Sequence, residues 1–521
     1  MNDFYMICYV ICNSLPDANL PYPKETEKNI LKILPTSTFG VFVTTREDED
    51  HLYGCLGNFD MNSIPSKQKI LGFLQSLSFE SANNDVRFVQ TKNHVPLEQN
   101  VNATFEVSLM QQPMMKINPQ TGEVFRRGRE KIAFHNHDFG VIYRSNTGRT
   151  TTFLPNVFPD GDWSTMLVKL KEKSGTNGPL HGDFFAFSTI SIKDSIRHVL
   201  FSTNYLSFYI SESVMTIKIL FEKVDYVPYM VQHNTVEKNE LQYVRNIATL
   251  YDLLRFNLTN DKKLDELIMK NVTRLEPLIK ESMVHARLME YSALGFYLLC
   301  LHHIDNKNVL VPMIKQFLFQ NIHQIPKEYQ LPECLIALCH SFPTEKEKKL
   351  LESKLDMLIT PFKNRRSLQT DTIFQMNWIA KYIYTVHQTI GLPKSFPQEW
   401  IRNLQDEMIL FQKNIHTNTT ETNEIAVCFE GLCSLFCVSP SNDTMNHIWT
   451  LFLDLNRRRK DFLFSFRDGT FRMDITGHVL NGCYVLFVRE NVSSKTFQHD
   501  MSDSNSNNLL QRIQYTINSL S

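Results

Sequence analysis

The sequence predicts two architectures in one chain, an α/β (α+β) domain followed by an all-α domain of helical hairpins. Three observations carry this reading. The 521 residues exceed what one ordinary hydrophobic core organises. The spacing of apolar positions changes between about residues 200 and 240, from short β-branched and aromatic runs to the three-and-four spacing of helices. Asn, Pro and Gly turns separate the early runs, whereas loops of a few residues separate the later ones. The expected division is an α/β domain over 1–200, a β-rich connector over 201–238, an all-helical domain over 239–490 and a polar Ser/Asn-rich tail over 491–521.

The elements follow in order. Phe4 to Val10 is apolar but has no basic flank and carries Asp3, so it reads as an amphipathic first helix rather than a signal peptide. Gly40 to Thr45, Thr104 to Met110, Gly140 to Tyr143 and Phe184 to Ser191 read as strands. Lys67 to Glu80 and Ser164 to Ser174 read as helices between them. Ser213 to Val224 is expected to be a strand of the connector. Helical spacing then recurs over Leu241–Phe256, Lys263–Lys280, Ala286–His303, Val309–Asn321, Cys334–Ser341, Glu345–Ile359, Phe374–Ile390, Trp400–Asn414, Glu421–Cys437 and Thr444–Leu455. Such a run makes antiparallel hairpins, stacked as an open solenoid or closed into an α/α toroid. In the tail, Leu509 to Ile517 is a candidate docking helix.

Composition removes some function classes. Lys+Arg (54) balance Asp+Glu (55), so net charge gives no reason to expect nucleic acid or an anionic membrane as partner. Ten cysteines without a recurring CxxC read as reduced thiols. No apolar run approaches bilayer length, and the protein is expected to be soluble and intracellular, in the cytoplasm or the nucleus. There is no phosphate-cradling glycine loop, serine nucleophile elbow or HExxH motif, so no cofactor is named and no metal site is expected.

The strongest local feature is Gly40-Val41-Phe42-Val43-Thr44-Thr45, a charged turn, and Leu52-Tyr53-Gly54-Cys55-Leu56-Gly57. Glycine weakens a strand unless something must approach closely, so Gly54 and Gly57 mark a crowded or concave place. At these residues the sequence resembles the AMMECR domain family, whose hexapeptide has the form Leu-Arg-Gly-Cys-Ile-Gly after a Gly-Val-Phe-Val-Thr strand. Ser81 to Phe88, with Asp85 and Arg87, is similar to its small-residue helix end and Asp-x-Arg-Phe. Phe105 to Met110, Phe153 to Val157, Trp163 and Lys173-Ser174-Gly175 are similar to further elements, and Met6 to Leu15 fits its first helix. The resemblance covers about residues 1–195; Tyr53 stands where the family has Arg, and His135 and Asn136 stand where it has a Gly-rich turn. It implies two α/β subdomains around an antiparallel sheet with the hexapeptide near a cleft. It also implies radical-SAM and Memo-like proteins as pathway partners, and no particular reaction.

Three groups of residues are candidates for chemistry. Cys55 would be a nucleophile if a His or cation lowered its pKa, with Gly54, Gly57, Asp85 and Arg87 as binding neighbours; the competing reading is a small buried hydrophobe. His135-Asn136-His137-Asp138 could present ligands from one strand face or be a solvated turn. Arg472, Asp474 and His478 bring a cation, a carboxylate and an imidazole together, with Asp474 and His478 one helical turn apart, suited to acid–base catalysis. Glu424, Asn423 and Glu421, and Gln375, Asn377 and Trp378, are similar polar sets near helix starts, where capping is the competing reading. Cys428, Cys433 and Cys437 read as core positions and Arg457 to Lys460 as a solvated helix end. Three functions follow: an AMMECR-type component binding a small molecule or modified side chain near Cys55, an enzyme with its site in the helical domain at Asp474, His478 and Glu424, or a protein-interaction adaptor.

Overall fold

The computed structural model describes residues 2–89, 95–125, 130–224, 230–232, 235–236, 242–284, 290–327, 330–360, 372–393, 396–415, 420–460, 462–464 and 470–499. The chain forms two compact units, one of residues 1–16 and 20–199 and the other of residues 17–19 and 200–521.

In the first unit, helices α1 (Asn2–Ser14) and α2 (Thr26–Ile33) lead into strands β1 (Thr38–Arg46) and β2 (Leu52–Phe59). Helices α3 (Lys67–Asn83) and α4 (Val86–Val89) precede β3 (Thr104–Lys116), β4 (Glu123–Phe125), β5 (Lys131–Ala133), β6 (Gly140–Ser145) and β7 (Thr150–Phe153). Helix α5 (Trp163–Ser174), strand β8 (Gly182–Ser195) and helix α6 (Ile196–Leu200) complete it. The main sheet is antiparallel in the order β2-β1-β3-β8-β6-β7, and β4 and β5 form a separate hairpin. The register of β3 against β8 shifts between Gln111 and Met115, so the two longest strands bend there. On one side of that bend α1 and α3 pack against the sheet. On the other, Trp163, Met166 and Leu170 of α5 close a core with Val141, Tyr143, Phe184 and Phe134.

Local chemistry sets these elements. Ser66 caps α3 by accepting from Lys69 N, and Asp162 caps α5 by accepting from Thr165 N. Helix α5 stops at Gly175, whose φ of +65° lies in the left-handed region. The expected amphipathic first helix is instead covered all round: Met6 through Cys12 are buried without a break. Its run of apolar residues is a buried core helix, as an unbroken apolar stretch shorter than a membrane span should be.

The second unit begins with α7 (Thr203–Val224), followed by the short strands β9 (Met230–Gln232) and β10 (Thr235–Val236). The expectation that Ser213 to Val224 is a strand fails: the connector expected to be β-rich is mostly the helix α7, with only the short strands β9 and β10 after it among the described residues. Tyr205, Leu206, Tyr209, Ile210, Val214, Ile217, Leu220 and Phe221 are buried at helical spacing, and that period outweighs the β-branched content. The remaining helices are α8 (Tyr243–Phe256), α9 (Lys262–Val284), α10 (Tyr291–Ile304), α11 (Leu310–Asn321), α12 (Gln330–His340) and α13 (Glu345–Ile359). Then come α14 (Thr372–Thr389), α15 (Gln398–Lys413), α16 (Thr422–Val438) and α17 (Asn442–Arg457), the short strands β11 (Arg459–Lys460), β12 (Leu463–Phe464) and β13 (Phe471–Arg472), and α18 (Met473–His499).

Alternate helices make a ring. α8 packs on α10, α10 on α12, α12 on α14, α14 on α16, α16 on α18, and α18 returns to α8. Between the two forms left open by the sequence, the helical unit is therefore the closed one, an α/α toroid. Two ring helices, α10 and α16, are enclosed on every side: every described residue from Ser292 to Leu301 and from Ile425 to Phe436 is buried. Each ring helix from α8 to α16 is followed by a returning outer helix, so successive ring helices run in one direction and their polar residues collect at matching levels of the axis. Leu509 to Ile517 lies outside the described residues.

Candidate functional site

Strands β1 and β2 place Cys55 opposite Thr44, whose hydroxyl donates to the thiol at 3.1 Å. The glycines around it have steric reasons. A Cβ on Gly54 would come within 2.7 Å of Asp85 Cβ and would also strike the Ser81 carbonyl at the end of α3, and one on Gly57 would enter the Phe42 ring. Asp85, 2% exposed, accepts from Cys55 N at 3.0 Å and from Arg87 Nε at 2.8 Å. Arg87 in turn donates to the Cys55 carbonyl at 2.5 Å. Burial acts to raise the Asp85 carboxyl, but Arg87 and these N–H groups outweigh it and hold the group below its ordinary range. Cys55 itself is half-buried, and burial pushes its thiol up despite Thr44, Arg87, Lys173 and Arg46. That is the opposite of nucleophile activation. Lys173 is exposed, yet burial lowers its pKa, and its Nζ donates to Thr152 O at 2.7 Å over the Phe153 ring. Tyr53, in the place of the family's Arg, is buried with its hydroxyl donating to Val95 O.

Two other sequence candidates have structural roles. Asn136 is fully buried and ties loops together, donating to Phe139 O and Leu154 O at 3.0 Å and accepting from Phe158 N at 2.8 Å. His135, His137 and Asp138 are exposed on the turn, and no metal-holding group occurs among the described residues. In the basic run, Arg457 pairs with Asp454, Arg458 donates to Thr420 O, and Arg459 donates to Asn19 O, so these cations tie segments of the helical unit.

The ring axis holds the densest polar network. Glu430 of α16 is completely buried, with Oε1 2.7 Å from Lys381 Nζ, and Oε2 2.7 Å from His478 Nδ1 and 2.8 Å from Asn377 Nδ2. Burial opposes its ionisation, but Lys381 and His478 outweigh that and hold it at about 2. An ionised Glu430 accepts a hydrogen bond from Nδ1–H of His478, and in the tautomer this selects, Nε2 carries the lone pair. Lys381 lies 4.0 Å from the centre of the Trp378 ring, and Trp378 meets His478 edge-on. On α8, Asp252 accepts from Asn481 Nδ2 at 3.1 Å, and its Oδ2 sits over Gly477, where a Cβ would come within 2.9 Å. Burial raises Asp252 to about 6, against Arg255 and Lys381 and with help from Glu430. Burial likewise raises Glu333 of α12 to about 7. The Oδ1 atoms of Asn377 and Asn481 are buried without a partner, beside Glu430 and Asp252 respectively.

One turn beyond Asp252, Arg255 carries its guanidinium against the rings of Tyr251, Phe256 and Tyr484, at 5.1, 5.4 and 4.6 Å. His303 is exposed there, and burial and then Arg255 lower its pKa.

The sequence candidates of this unit divide between site and frame. His478 is in the network, joined to Glu430 rather than to Asp474. Asp474 binds Arg472 through both oxygens, at 3.1 and 2.6 Å, and lies 3.8 Å from Arg245. Glu424 forms a capping box with Glu421 at the start of α16. Glu430, Lys381, Asp252 and Arg255 escaped sequence reasoning. Their signal was a single charge inside an apolar helical run, as in Cys428-Phe429-Glu430-Gly431-Leu432.

Comparison with known proteins agrees with the first unit's layout. The AMMECR1 family model matches residues 8–189, so the chain carries an AMMECR1 domain there. No curated protein matches the chain. Among solved structures, an unsaturated glucuronyl hydrolase from Streptococcus agalactiae aligns at 10% identity and a TM-score of 0.40, covering 55% of this chain and 92% of its own. A mutant of that enzyme complexed with dGlcA-GalNAc6S aligns at 11% identity and 0.41, covering 56% and 92%.

Proposed function

We propose that the helical unit is an acid–base enzyme acting on a small molecule in the ring axis, with hydrolysis as its reaction. The observation that carries this is the buried Glu430–His478 pair, which fixes the imidazole tautomer and leaves Nε2 without a partner among the described residues. His478 takes a proton from water at Nε2 as the water oxygen bonds to the electrophilic centre, and Glu430 steadies the imidazolium. Asp252, protonated up to about pH 6, gives a proton to the departing oxygen. Two carboxyls whose surroundings drive their pKa values apart divide the roles of steadier and donor. Arg472 and Asp474 form an ion pair at the start of α18, where they position the helix that carries His478. A panel of p-nitrophenyl esters, phosphates and glycosides tests this: turnover should fall at least about a hundredfold in His478→Gln with the fold intact. Turnover that survives in the folded variant, or none in the wild type, refutes it.

A second reading concerns the AMMECR1 domain. Lys173, Arg87 and Arg46 act together on a half-buried Cys55 whose thiol is not activated. This supports a binding cleft for a small molecule or modified side chain, in which Cys55 is a contact rather than a nucleophile.

A further inference from the structure

The level of the axis around Arg255 is not explained by proton transfer. Its guanidinium lies against the Tyr251 and Tyr484 rings and interacts with their hydroxyls, and among the described residues no carboxylate is within ion-pair distance of it. The charged and polar groups that act on it are Tyr251, Tyr484, Asp252 and Tyr384. His303 and His340 come from α10 and α12, and both have lowered pKa values, first through burial and next through Arg255. This level therefore offers a fixed guanidinium, three phenol hydroxyls and two imidazoles. Asp252, one turn away, is the carboxylate that acts on the guanidinium, and burial keeps it protonated up to about pH 6.

A desolvated cation without a paired carboxylate is costly to keep inside a protein, and π faces offset only part of that cost. Arginine, with five donors in a planar fork, is suited to carboxylate or phosphate. Tyr251, Arg255, His340, Tyr384 and Tyr484 are all half-buried and His303 is exposed, so water, and hence a small solute, reaches this level.

We infer that the ring axis at Arg255 binds the anionic group, carboxylate or phosphate, of a small organic molecule. Arg255 forks onto the anion while the tyrosine hydroxyls and the His340 imidazole donate around it, with the exposed His303 beside them. The inference rests on the acid–base reading only in making that anion the handle of a substrate; the binding itself requires no proton transfer. Gly477, Asn481 and Asp252 would then separate the anchored end from the reacting end at His478.

Calorimetric titration of the full chain with malonate and with inorganic phosphate tests it. Saturable binding of either is expected, with the tighter probe assigning the group as carboxylate or phosphoryl. Affinity should weaken about tenfold or more in Arg255→Gln and in His303→Gln, and should hold in His478→Gln. If Arg255→Gln does not fold, His303→Gln, at an exposed position, decides. No saturable binding by the wild type, or binding unchanged in the folded variants at Arg255 and His303, overturns the inference. Binding that persists in His478→Gln without any turnover in the wild type removes the acid–base reading and leaves the anion site standing.

Discussion

Replacing Asp252 by Asn tests the electrostatics of the ring axis without assuming a substrate. Burial lifts this carboxyl from 3.8 to about 6, so the folded chain holds its proton more tightly than the unfolded one. The sign follows from linkage. Below about pH 4 both states are protonated and the residue costs nothing. As pH rises from about 4 to about 6 the unfolded state ionises first, and stability falls. About two pKa units at 1.36 kcal/mol each give a penalty of about 3 kcal/mol, fully present above pH 6. Asn removes the charge and can still pair with Asn481. The variant should therefore match the wild type near pH 4 and gain up to about 3 kcal/mol on it by pH 7.5. In a unit of this size that is a rise of several degrees in melting temperature. Scanning calorimetry at a series of pH values, following the transition of the helical unit, reads the difference directly. A gap that does not grow between pH 4 and 7, or that has the opposite sign, refutes the claim that Asp252 is held in a desolvated site. If turnover uses Asp252 as donor, the same variant should be more stable and less active, the usual exchange at strained sites.

Glu430→Gln should do the reverse, costing about 3–5 kcal/mol at neutral pH because Lys381 loses its buried counter-charge. The wild-type contribution of Glu430 should hold above about pH 4.5 and be lost as pH falls toward 2, which acid unfolding of the two proteins would show as converging stabilities. Gly54→Ala should destabilise the first unit by about 3 kcal/mol or more, since the added carbon meets Asp85 Cβ and the Ser81 carbonyl; urea unfolding followed by near-ultraviolet dichroism checks it. Cys55 should react with iodoacetamide more slowly at pH 7 than in the denatured chain, and faster labelling would show that the thiol is activated after all.

How much of this was legible in the sequence depended on the range of the interaction. The hexapeptide glycines announced a crowded place because a strand glycine is locally unfavourable, and the crowding proved to be α3 and Phe42. The ring helices were legible from their period. His478 drew notice through its polar neighbours, yet spacing pointed to Asp474, one turn away on the same helix, as its partner. The actual partner is 48 positions distant, because His478 meets α16 while Asp474 is occupied by the adjacent Arg472. Pairing across helices leaves no local trace, so the sequence showed Glu430 and Lys381 only as solitary charges in apolar runs. Residues 213–224 show the other failure: β-branched content suggested a strand, but eight buried positions of one helix face decided the outcome.

Ring closure also sets the order in which the site can come into being. The hydrogen bond from Asn481 to Asp252 joins residues 229 positions apart. During synthesis α8 is complete long before α18 has been made, so the acid–base network and the seat of Arg255 are assembled last, in a single closing step. Until then α8 and α16 lack their last ring neighbour, and a chain halted before α18 would leave the ring open between them. Closing so long a segment costs only modestly more entropy than closing a short one, because the cost grows with the logarithm of length. The delay is therefore one of translation rather than of search, and the ring closes only once α18 has been made.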